Sequence, residues 1–426
     1  MPENLKKGTF FNFFAYSLSG LFIFLFNIIA ARGLGTAKFG IISVLWSSII
    51  ISSRFLTTGI KDGTTRFISH YEAMDNRTKM RRVFQLGIRF TTFVIIIFLF
   101  LNLLFAKLII KHLFSSYLSL FFLFVFSCVF YFFLFFSRGV FQGLRELKHS
   151  AISIVIEYST MLISLIIFFL FFRDVRLAGL SILFAPFMSL IFLAMIFQRH
   201  KKRFSSYSDT SPDTKTFLLF VIPTSFINFS SGFITSLGPL LIKFLGGFSL
   251  AGIFAASLVI FKATRTVLAS LFISILPHLS RQEALKNFRL LNKMVRYGII
   301  FIVFVFILLI IVSLTVGQSI LKFLYGDKFV IEKVHLLLMS LFTGFFLLAE
   351  LFNRILLAKS MIKELSISWL IAFGIFVIIL FFPLSAFFRV ESALLAAGIV
   401  ASVGMTLFLL KRTHDEKKAE ESDNLS

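Results

Sequence analysis

The sequence predicts an all-α, polytopic membrane protein with about twelve transmembrane helices, and three observations lead to this class. Of the 426 residues, 58% are hydrophobic and 63 are Phe, which is more apolar surface than a soluble protein of this size buries. Apolar runs of about 20 residues recur along the chain, and this is the length that crosses a bilayer core as a helix. A transmembrane β-barrel would show short alternating segments instead.

The predicted spans follow the apolar runs in chain order. They are 10–31, 41–60, 88–106, 113–137, 150–172, 177–197, 217–242, 248–275, 297–321, 334–352, 364–388 and 392–410. The first run follows Lys6 and Lys7 and is too long for the core of a signal peptide, so we expect it to remain as a span. The single cysteine, Cys128, lies inside an apolar run, so an internal disulfide is excluded and a packing role is expected.

The charge of the chain indicates its orientation. The formal net charge is +23, from 43 Lys and Arg against 20 Asp and Glu. Basic loops of a membrane protein lie against the anionic cytoplasmic leaflet, so anionic lipids rather than nucleic acid are the expected partners. One set of alternate loops holds 27 Lys and Arg and the other holds 11. The positive-inside rule therefore places the chain in the cell (inner or plasma) membrane with both termini cytoplasmic.

A polar, basic linker divides the chain into two predicted six-helix lobes. The N-terminal lobe is 1–200, the cytoplasmic linker 201–215 and the C-terminal lobe 216–410, and the charged tail 411–426 is expected to be disordered. The external connections are short, the longest running roughly from Leu321 to Val334, so none can hold a folded domain.

The two predicted lobes resemble each other in sequence. Residues 11–20 (FNFFAYSLSG) parallel 223–232 (PTSFINFSSG), Leu34-Gly35 parallels Leu245-Gly246, and Ser137-Arg138 parallels Asn353-Arg354. The shared offset indicates a duplication, and because each half has six spans the repeats are parallel. Transporters place their substrate sites at such repeat interfaces, so we expect a central cavity there.

Basic residues inside two predicted spans are the strongest candidates for a binding site. Arg54 lies 19 residues after Gly35, and Arg265 lies 19 residues after Gly246, with Lys262 one turn away. Charge within a span usually faces a protein interior or a watery cavity. Because the guanidinium fork holds phosphate oxygens bidentately, these residues predict an anion site. The alternative is structural: Arg54 pairs with Glu157 or a carbonyl, or reaches the interface.

Polar residues at helical spacing are predicted to line the same cavity. The candidates are Asn12, Asn27, Ser47, Asn228, Ser231 and Thr235. Three carboxylates, Glu157, Asp62 and Glu350, are candidates for binding a coupling ion. For Glu350 the alternative is an ordinary i,i+4 pair with Arg354.

Enzyme chemistry has little support in the sequence. The seven His residues are scattered among loops and span ends without metal-ligand spacing, and there is no P-loop. We therefore expect no catalytic residues, no metal and no cofactor.

Several stretches resemble a known family. "ARGLGTAKFG" at the end of span one, the arginine in span two and "SRGVFQGLRELKHSAISIVIE" before span five resemble the polysaccharide-transport proteins. These are the O-antigen and teichoic-acid type flippases of the multidrug/oligosaccharidyl-lipid/polysaccharide exporter superfamily. The resemblance implies two six-helix lobes around a central cavity. It also implies alternating-access transport of oligosaccharides linked to undecaprenyl diphosphate, with the diphosphate held by Arg54, Arg265 and Lys262.

Other members of the superfamily leave alternatives open. Lipid II flippases share the glycine turn and the arginine spacing, but they carry an Arg-rich, acidic motif in the first span that residues 16–23 (YSLSGLFI) lack. Multidrug exporters use acidic residues in spans one or seven, and those predicted spans contain none. A membrane glycosyltransferase or polymerase of the same pathway is the alternative of another class. Other polysaccharide-assembly proteins are further possible partners.

Overall fold

The computed structural model describes residues 3–200, 204, 214–284, 288–359 and 361–423, and these form an all-helical chain. Twelve α-helices are found in this part of the chain. They are α1 Glu3–Ala73, α2 Arg77–Leu104, α3 Ala106–Leu113, α4 Leu118–Gly143, α5 Leu147–Phe171, α6 Val175–His200, α7 Thr214–Ala284, α8 Phe288–Thr315, α9 Gly317–Tyr325, α10 Lys333–Ala358, α11 Ile362–Ile379 and α12 Ala386–Asp423. A short 3-10 helix, Asp327–Phe329, precedes α10.

Two very long helices, α1 and α7, are each interrupted by one glycine. Gly35 has φ 76° and ψ 175°, and Gly247 has φ 85° and ψ 179°. Only glycine adopts this backbone conformation without steric cost. The apolar stretch Phe14–Phe55 has 42 residues, which as one straight helix would be about 63 Å long, twice the bilayer core. Each glycine therefore separates two segments of span length.

Ten helices among the described residues are long and apolar enough to cross a membrane. Two of these ten contain the interruptions at Gly35 and Gly247. Large apolar side chains lie fully on the surface, among them Leu103, Leu170 and Phe381, as expected where lipid replaces water. The chain is thus a multi-pass α-helical membrane protein, while the division into twelve membrane spans and two six-helix lobes stays a prediction.

The helix ends differ from the predicted spans in three places. Helix α1 continues to Ala73 and α2 begins at Arg77, so most of the basic segment after span two is helical. Predicted span nine, 297–321, instead ends at Thr315, and α9 begins two residues later. The tail, predicted to be disordered, is helical to Asp423 as part of α12. Its Lys, Glu and Ala residues are good helix formers, which explains the difference.

The structure adds two matches to the internal repeat. The interrupting glycines, Gly35 and Gly247, are 212 positions apart. The short helices α3 and α9 each follow a long apolar helix and begin at Ala106 and Gly317, which are 211 positions apart. The duplication therefore extends to the backbone interruptions and to the short helices.

The chain packs as two compact units. The first comprises Met1–Ala263 with Lys322–Phe329, and the second comprises Thr264–Leu321 with Val330–Ser426. The two units are defined by packing, and the boundary between them lies within α7. The predicted lobes are defined by the sequence repeat, and the boundary between them is the linker.

Within the first unit, the second segment of α1 contacts α7 on both sides of Gly247. A Cβ atom built on Gly40 would lie 1.8 Å from the Phe248 carbonyl oxygen, and one on Gly252 would lie 2.1 Å from the Thr36 carbonyl oxygen. At the other end, a Cβ on Gly59 would lie 2.3 Å from the Val221 carbonyl oxygen. The helices can approach this closely only because these positions lack side chains. Gly40 and Gly252 are themselves 212 positions apart and so are repeat equivalents.

A second set of contacts fixes the stretch Lys322–Phe329 within the first unit. The guanidinium of Arg32, which lies just before Gly35, donates to the main-chain carbonyls of Phe323 and Leu324. The Phe329 ring packs edge-on against Phe39, with centroids 6.0 Å apart. Arg32 therefore satisfies carbonyls at the C-terminal end of α9, which a basic side chain does favourably.

The second unit has its own aromatic core. The buried Trp369 ring of α11 lies 5.4 Å from Phe346 of α10, and Gly344 makes room for the Phe306 ring of α8.

Candidate functional site

Arg54 lies in the second segment of α1 and is partly buried. In the next turn, the hydroxyls of Thr57 and Thr58 donate to the carbonyls of Ser53 and Arg54. Among the residues that the structure describes, none makes a hydrogen bond or ion pair with the Arg54 guanidinium. A cation without a protein partner inside an apolar helix is the arrangement expected of a ligand-binding group.

Three helices contribute to the surroundings of Arg54. The Cδ atom of Arg54 lies 4.0 Å from where a Cβ of Gly232, in α7, would stand. Arg54 and Tyr16, from the first segment of α1, both lie within electrostatic reach of the Tyr158 hydroxyl in α5. The first compact unit therefore places a guanidinium, two phenol groups and a side-chain-free glycine in one neighbourhood. This set offers a charge and two hydroxyls to an anion.

The alternative pairing of Arg54 with Glu157 is wrong, because Glu157 has another partner. Nη2 of Arg138 donates to Oε2 of Glu157 at 2.6 Å, and the Tyr131 hydroxyl donates to Oε1 at 2.8 Å. Arg138 also donates to Ser153 at 2.9 Å and Ser189 at 3.3 Å. All the side chains in this hydrogen-bonded group are almost fully buried. The sequence analysis noted Arg138 as a repeat equivalent of Arg354. It could not predict the pairing with Glu157, because the two residues lie on different helices and no helical spacing relates them.

The other two candidate carboxylates also have partners. Glu350 and Arg354 form an i,i+4 pair with Oε2 and Nη2 3.7 Å apart, as the alternative prediction had it. Asp62 is partly buried and has an interacting partner. An ion-coupling role for Glu350 or Asp62 therefore stays a prediction.

The lining candidates fall into three groups. Ser47 and Thr235 are buried, and the Thr235 hydroxyl donates to the Gly232 carbonyl at 3.1 Å. The Asn27 amide donates to the Ile23 carbonyl at 2.7 Å. The side chains of Asn12, Asn228 and Ser231 lie outside the described residues. Cavity lining by these six residues stays a prediction.

The interruption at Gly247 changes the register that relates Arg265 to Arg54. With Gly35 and Gly247 as equivalents, 212 positions apart, Arg54 corresponds to Thr266. Arg265 lies one residue earlier, which is about 100° around the helix axis. In the second unit its guanidinium lies 5.1 Å from the centroid of the Phe346 ring, a cation–π contact. Lys262 belongs to the first unit, is partly buried and has an interacting partner.

A histidine–glutamate pair was missed by the sequence analysis. Nδ1 of His335 in α10 lies 2.7 Å from Oε2 of Glu391 in α12. The two residues are 56 positions apart, and Glu391 fell just outside predicted span twelve. In the described part of the chain, no group of three His, Cys, Asp or Glu side chains is placed to hold a metal ion.

Solved structures of membrane transporters share this fold. The chain is similar to an inward-facing multidrug resistance MATE family transporter of the MOP superfamily, with a TM-score of 0.72, 13% identity and coverage of 95% of this chain and 96% of that one. It is also similar to a Vibrio cholerae MATE transporter, with a TM-score of 0.65, 15% identity and coverage of 96% and 97%. The TM-scores, over nearly the full length of both chains, establish a shared fold.

The family follows from the sequence itself. Residues 5–283, well over half of the chain, match the family described as "Polysaccharide biosynthesis protein". The chain belongs to this family, as the resemblance predicted. A search of curated protein sequences gives no match.

Proposed function

We propose that this protein is a flippase that carries a lipid-linked oligosaccharide, attached to undecaprenyl diphosphate, across the cell membrane by alternating access. The proposal includes the predicted orientation, with both termini in the cytoplasm. The substrate enters from the cytoplasmic leaflet, where such intermediates are built, and serves the synthesis of a cell-surface polysaccharide. Two observations support this proposal: the chain belongs to a polysaccharide biosynthesis family, and it shares its fold with MATE transporters.

The single observation that carries the proposal is that the Arg54 guanidinium, partly buried in an apolar helix, has no hydrogen-bond or ion-pair partner among the described residues. Burying a charge without a partner costs several kcal/mol, so a chain that keeps one in an apolar helix has a use for it. A diphosphate offers several anionic oxygens in the geometry that the guanidinium fork holds. The hydroxyls of Tyr16 and Tyr158 interact electrostatically with each other, and Arg54 acts on Tyr158; both hydroxyls are proposed donors to the remaining oxygens. Arg265 and Lys262 remain proposed contributors.

An apolar cavity of the first unit supports the lipid part of the substrate. A cavity of about 280 Å³ lies between α2, α4 and α6 and is lined by apolar side chains, including Phe84, Phe133 and Leu190. Ile88 and Ala194 belong to its lining and are exposed, so the cavity is reached from the surface that lipid covers. An isoprenoid chain has the shape and polarity to occupy it.

Two rivals within transport remain, lipid II and multidrug export. The first segment of α1 contains no acidic residue between Phe10 and Gly35, and a cationic neighbourhood repels cationic drugs. This favours an anionic substrate. The rival of another class, a glycosyltransferase or polymerase, would require transfer of sugar units.

The experiment is flipping by the purified full-length protein in liposomes. Fluorescent lipid-linked oligosaccharide would be incorporated in both leaflets, and a membrane-impermeant reagent would quench the outer pool. Faster loss of the protected pool than in protein-free liposomes is expected, with competition by undecaprenyl diphosphate but not by an uncharged isoprenoid alcohol. Flipping of cationic drugs alone, or sugar transfer between lipids, would replace the proposal by one of its rivals.

A further inference from the structure

A buried histidine–glutamate contact joins α10 and α12 in the second compact unit. Nδ1 of His335 and Oε2 of Glu391 are 2.7 Å apart, with side chains 13% and 1% exposed. The rings of Phe387 and Phe388 cover the imidazole, with centroids 5.1 and 4.7 Å away. The other carboxyl oxygen, Oε1 of Glu391, is buried and has no hydrogen-bond partner among the described residues. The contact therefore uses one carboxyl oxygen only.

The short distance shows that this contact holds a proton. Two unprotonated acceptors at 2.7 Å would direct lone pairs at each other, so one hydrogen must lie between Nδ1 and Oε2. Imidazole is the side chain that ordinarily exchanges a proton near neutral pH. The imidazole becomes a cation when Nε2 also carries a proton; when that proton leaves, Nδ1–H still donates to Oε2, but the carboxylate is buried without a positive partner, which is costly. Loss of the proton therefore weakens the contact between α10 and α12.

The comparison with Glu157 shows why this pair differs from the other buried carboxylate. Glu157 receives hydrogen bonds on both oxygens, one of them from Arg138. An arginine does not lose its charge in proteins, so it holds Glu157 as a carboxylate. The partner of Glu391 can lose its charge, and the oxygen Oε1 is not held by a donor. The exchangeable proton therefore belongs to the His335–Glu391 pair.

We propose that His335 and Glu391 form a proton-binding site through which a proton gradient drives this protein. The proton enters from the outer side, makes the imidazole a cation whose Nδ1–H faces Oε2, and leaves when the contact opens. Both residues lie in the first two turns of their helices, beside connections that the sequence predicts to be external. The further charge acting on the pair is Glu332, while Arg389 donates to the Leu384 carbonyl at 2.8 Å. Only the use of the proton in transport rests on the proposed function.

The first test counts protons and needs no substrate. Purified full-length protein in detergent would be titrated between about pH 5 and pH 8, where imidazole exchanges. The double variant His335→Asn, Glu391→Gln should exchange one proton fewer per molecule than the unaltered protein. The matched control is Glu350→Gln, a partly buried glutamate with an arginine partner in the same unit, which should leave the count unchanged. Glu391→Gln alone keeps an acceptor for Nδ1–H and provides a folded variant if the double one fails.

The second test relates the site to transport. In liposomes, the ratio of flipping rates with and without an acidic outer medium should exceed one for the unaltered protein and fall to one for Glu391→Gln. An unchanged proton count, a retained response in Glu391→Gln, or a response that follows sodium instead of protons would overturn the site. If the unaltered protein flips no lipid-linked saccharide, the proposed function fails, while the proton count still decides the site.

Discussion

Arg138 and Glu157 form a buried ion pair between α4 and α5, with Nη2 and Oε2 2.6 Å apart and side chains only 8% and 1% exposed. Tyr131, Ser153 and Ser189 complete the hydrogen bonds of the pair. Such a pair makes its members dependent on each other, because a remaining single charge would be buried without compensation. The relationship assigns Glu157 a structural role in the first unit.

The first prediction follows from this pair. Arg138→Met should lower the free energy of unfolding by about 3–5 kcal/mol, because Glu157 would be left charged and buried. Tyr131→Phe removes one hydrogen bond and should cost about 1 kcal/mol. Thermal unfolding in detergent, with both variants compared, checks the order. If Glu157→Gln were as stable as the unaltered protein and only lost its response to an ion gradient, the coupling role of Glu157 would be restored.

The second prediction concerns the crossing of α1 and α7. Gly40→Ala places a methyl group where the Phe248 carbonyl oxygen lies, so the two backbones must separate, at a cost of about 1–3 kcal/mol. The hydroxyl oxygens of Thr36 and Ser249 are 3.0 Å apart at this crossing. Cysteines at these two positions should form a disulfide readily, and Gly40→Ala should reduce its yield.

The control for the crossing is Gly374→Ala in α11. A Cβ there meets no atom within 4 Å, so the yield should stay unchanged and stability should hold or rise by up to about 1 kcal/mol. An equal disulfide yield in Gly40→Ala would show that the helices do not cross at this point in the membrane.

The third prediction concerns Arg54. Arg54→Ala should leave the amount of folded protein unchanged, because no described residue pairs with the guanidinium. Flipping should fall about ten- to a hundredfold, since hydrogen bonds between charged groups contribute about 1.5–3 kcal/mol. Arg54→Lys should restore part of the activity, because it keeps the charge without the fork.

Arg66 supplies the matched control for Arg54. It lies on the same helix and is exposed, and its guanidinium lies 4.4 Å from the Phe220 ring centroid. Arg66→Ala should therefore flip lipid-linked oligosaccharide normally. Loss of abundance in step with activity in Arg54→Ala would indicate a structural role for Arg54, and normal flipping would remove it from the site.

The fourth prediction concerns topology. Reporters fused after Asp209 and after Asp415 should read as cytoplasmic, and one near Asp327 should read as external, because Lys and Arg fall 27 to 11 between alternate loops. External readings at both Asp209 and Asp415 would reverse the orientation. Disagreement between those two positions would change the number of spans.

The fold class followed from the sequence because each long apolar run can satisfy its backbone in a bilayer only as a helix. The ends of these helices were harder to predict, since a helix does not stop where the lipid stops. The charged residues from Arg66 to Arg82 lie on helices α1 and α2, apart from a short connection after Ala73. Water satisfies exposed side chains on such extensions, so charge alone does not mark a helix end.

The sequence identified single candidate residues of the site but not the pairs that residues on different helices form. A lone arginine in an apolar run is visible in the sequence, and Arg54 is indeed partly buried there. The partners Arg138–Glu157 and His335–Glu391 lie 19 and 56 positions apart on different helices. No helical spacing relates such residues, so only the packing of α4 on α5 and of α10 on α12 reveals them.

The single-residue interruptions at Gly35 and Gly247 also restrict how this sequence can evolve. Helical backbone continues on both sides of each glycine, so no spare peptide is available there to absorb an insertion or a deletion. One added residue after Gly35 would rotate the whole following segment by about 100° and turn Arg54 to another side. Length variation among descendants of this chain should therefore accumulate in its other connections, and proteases should find nothing to cut at these two positions.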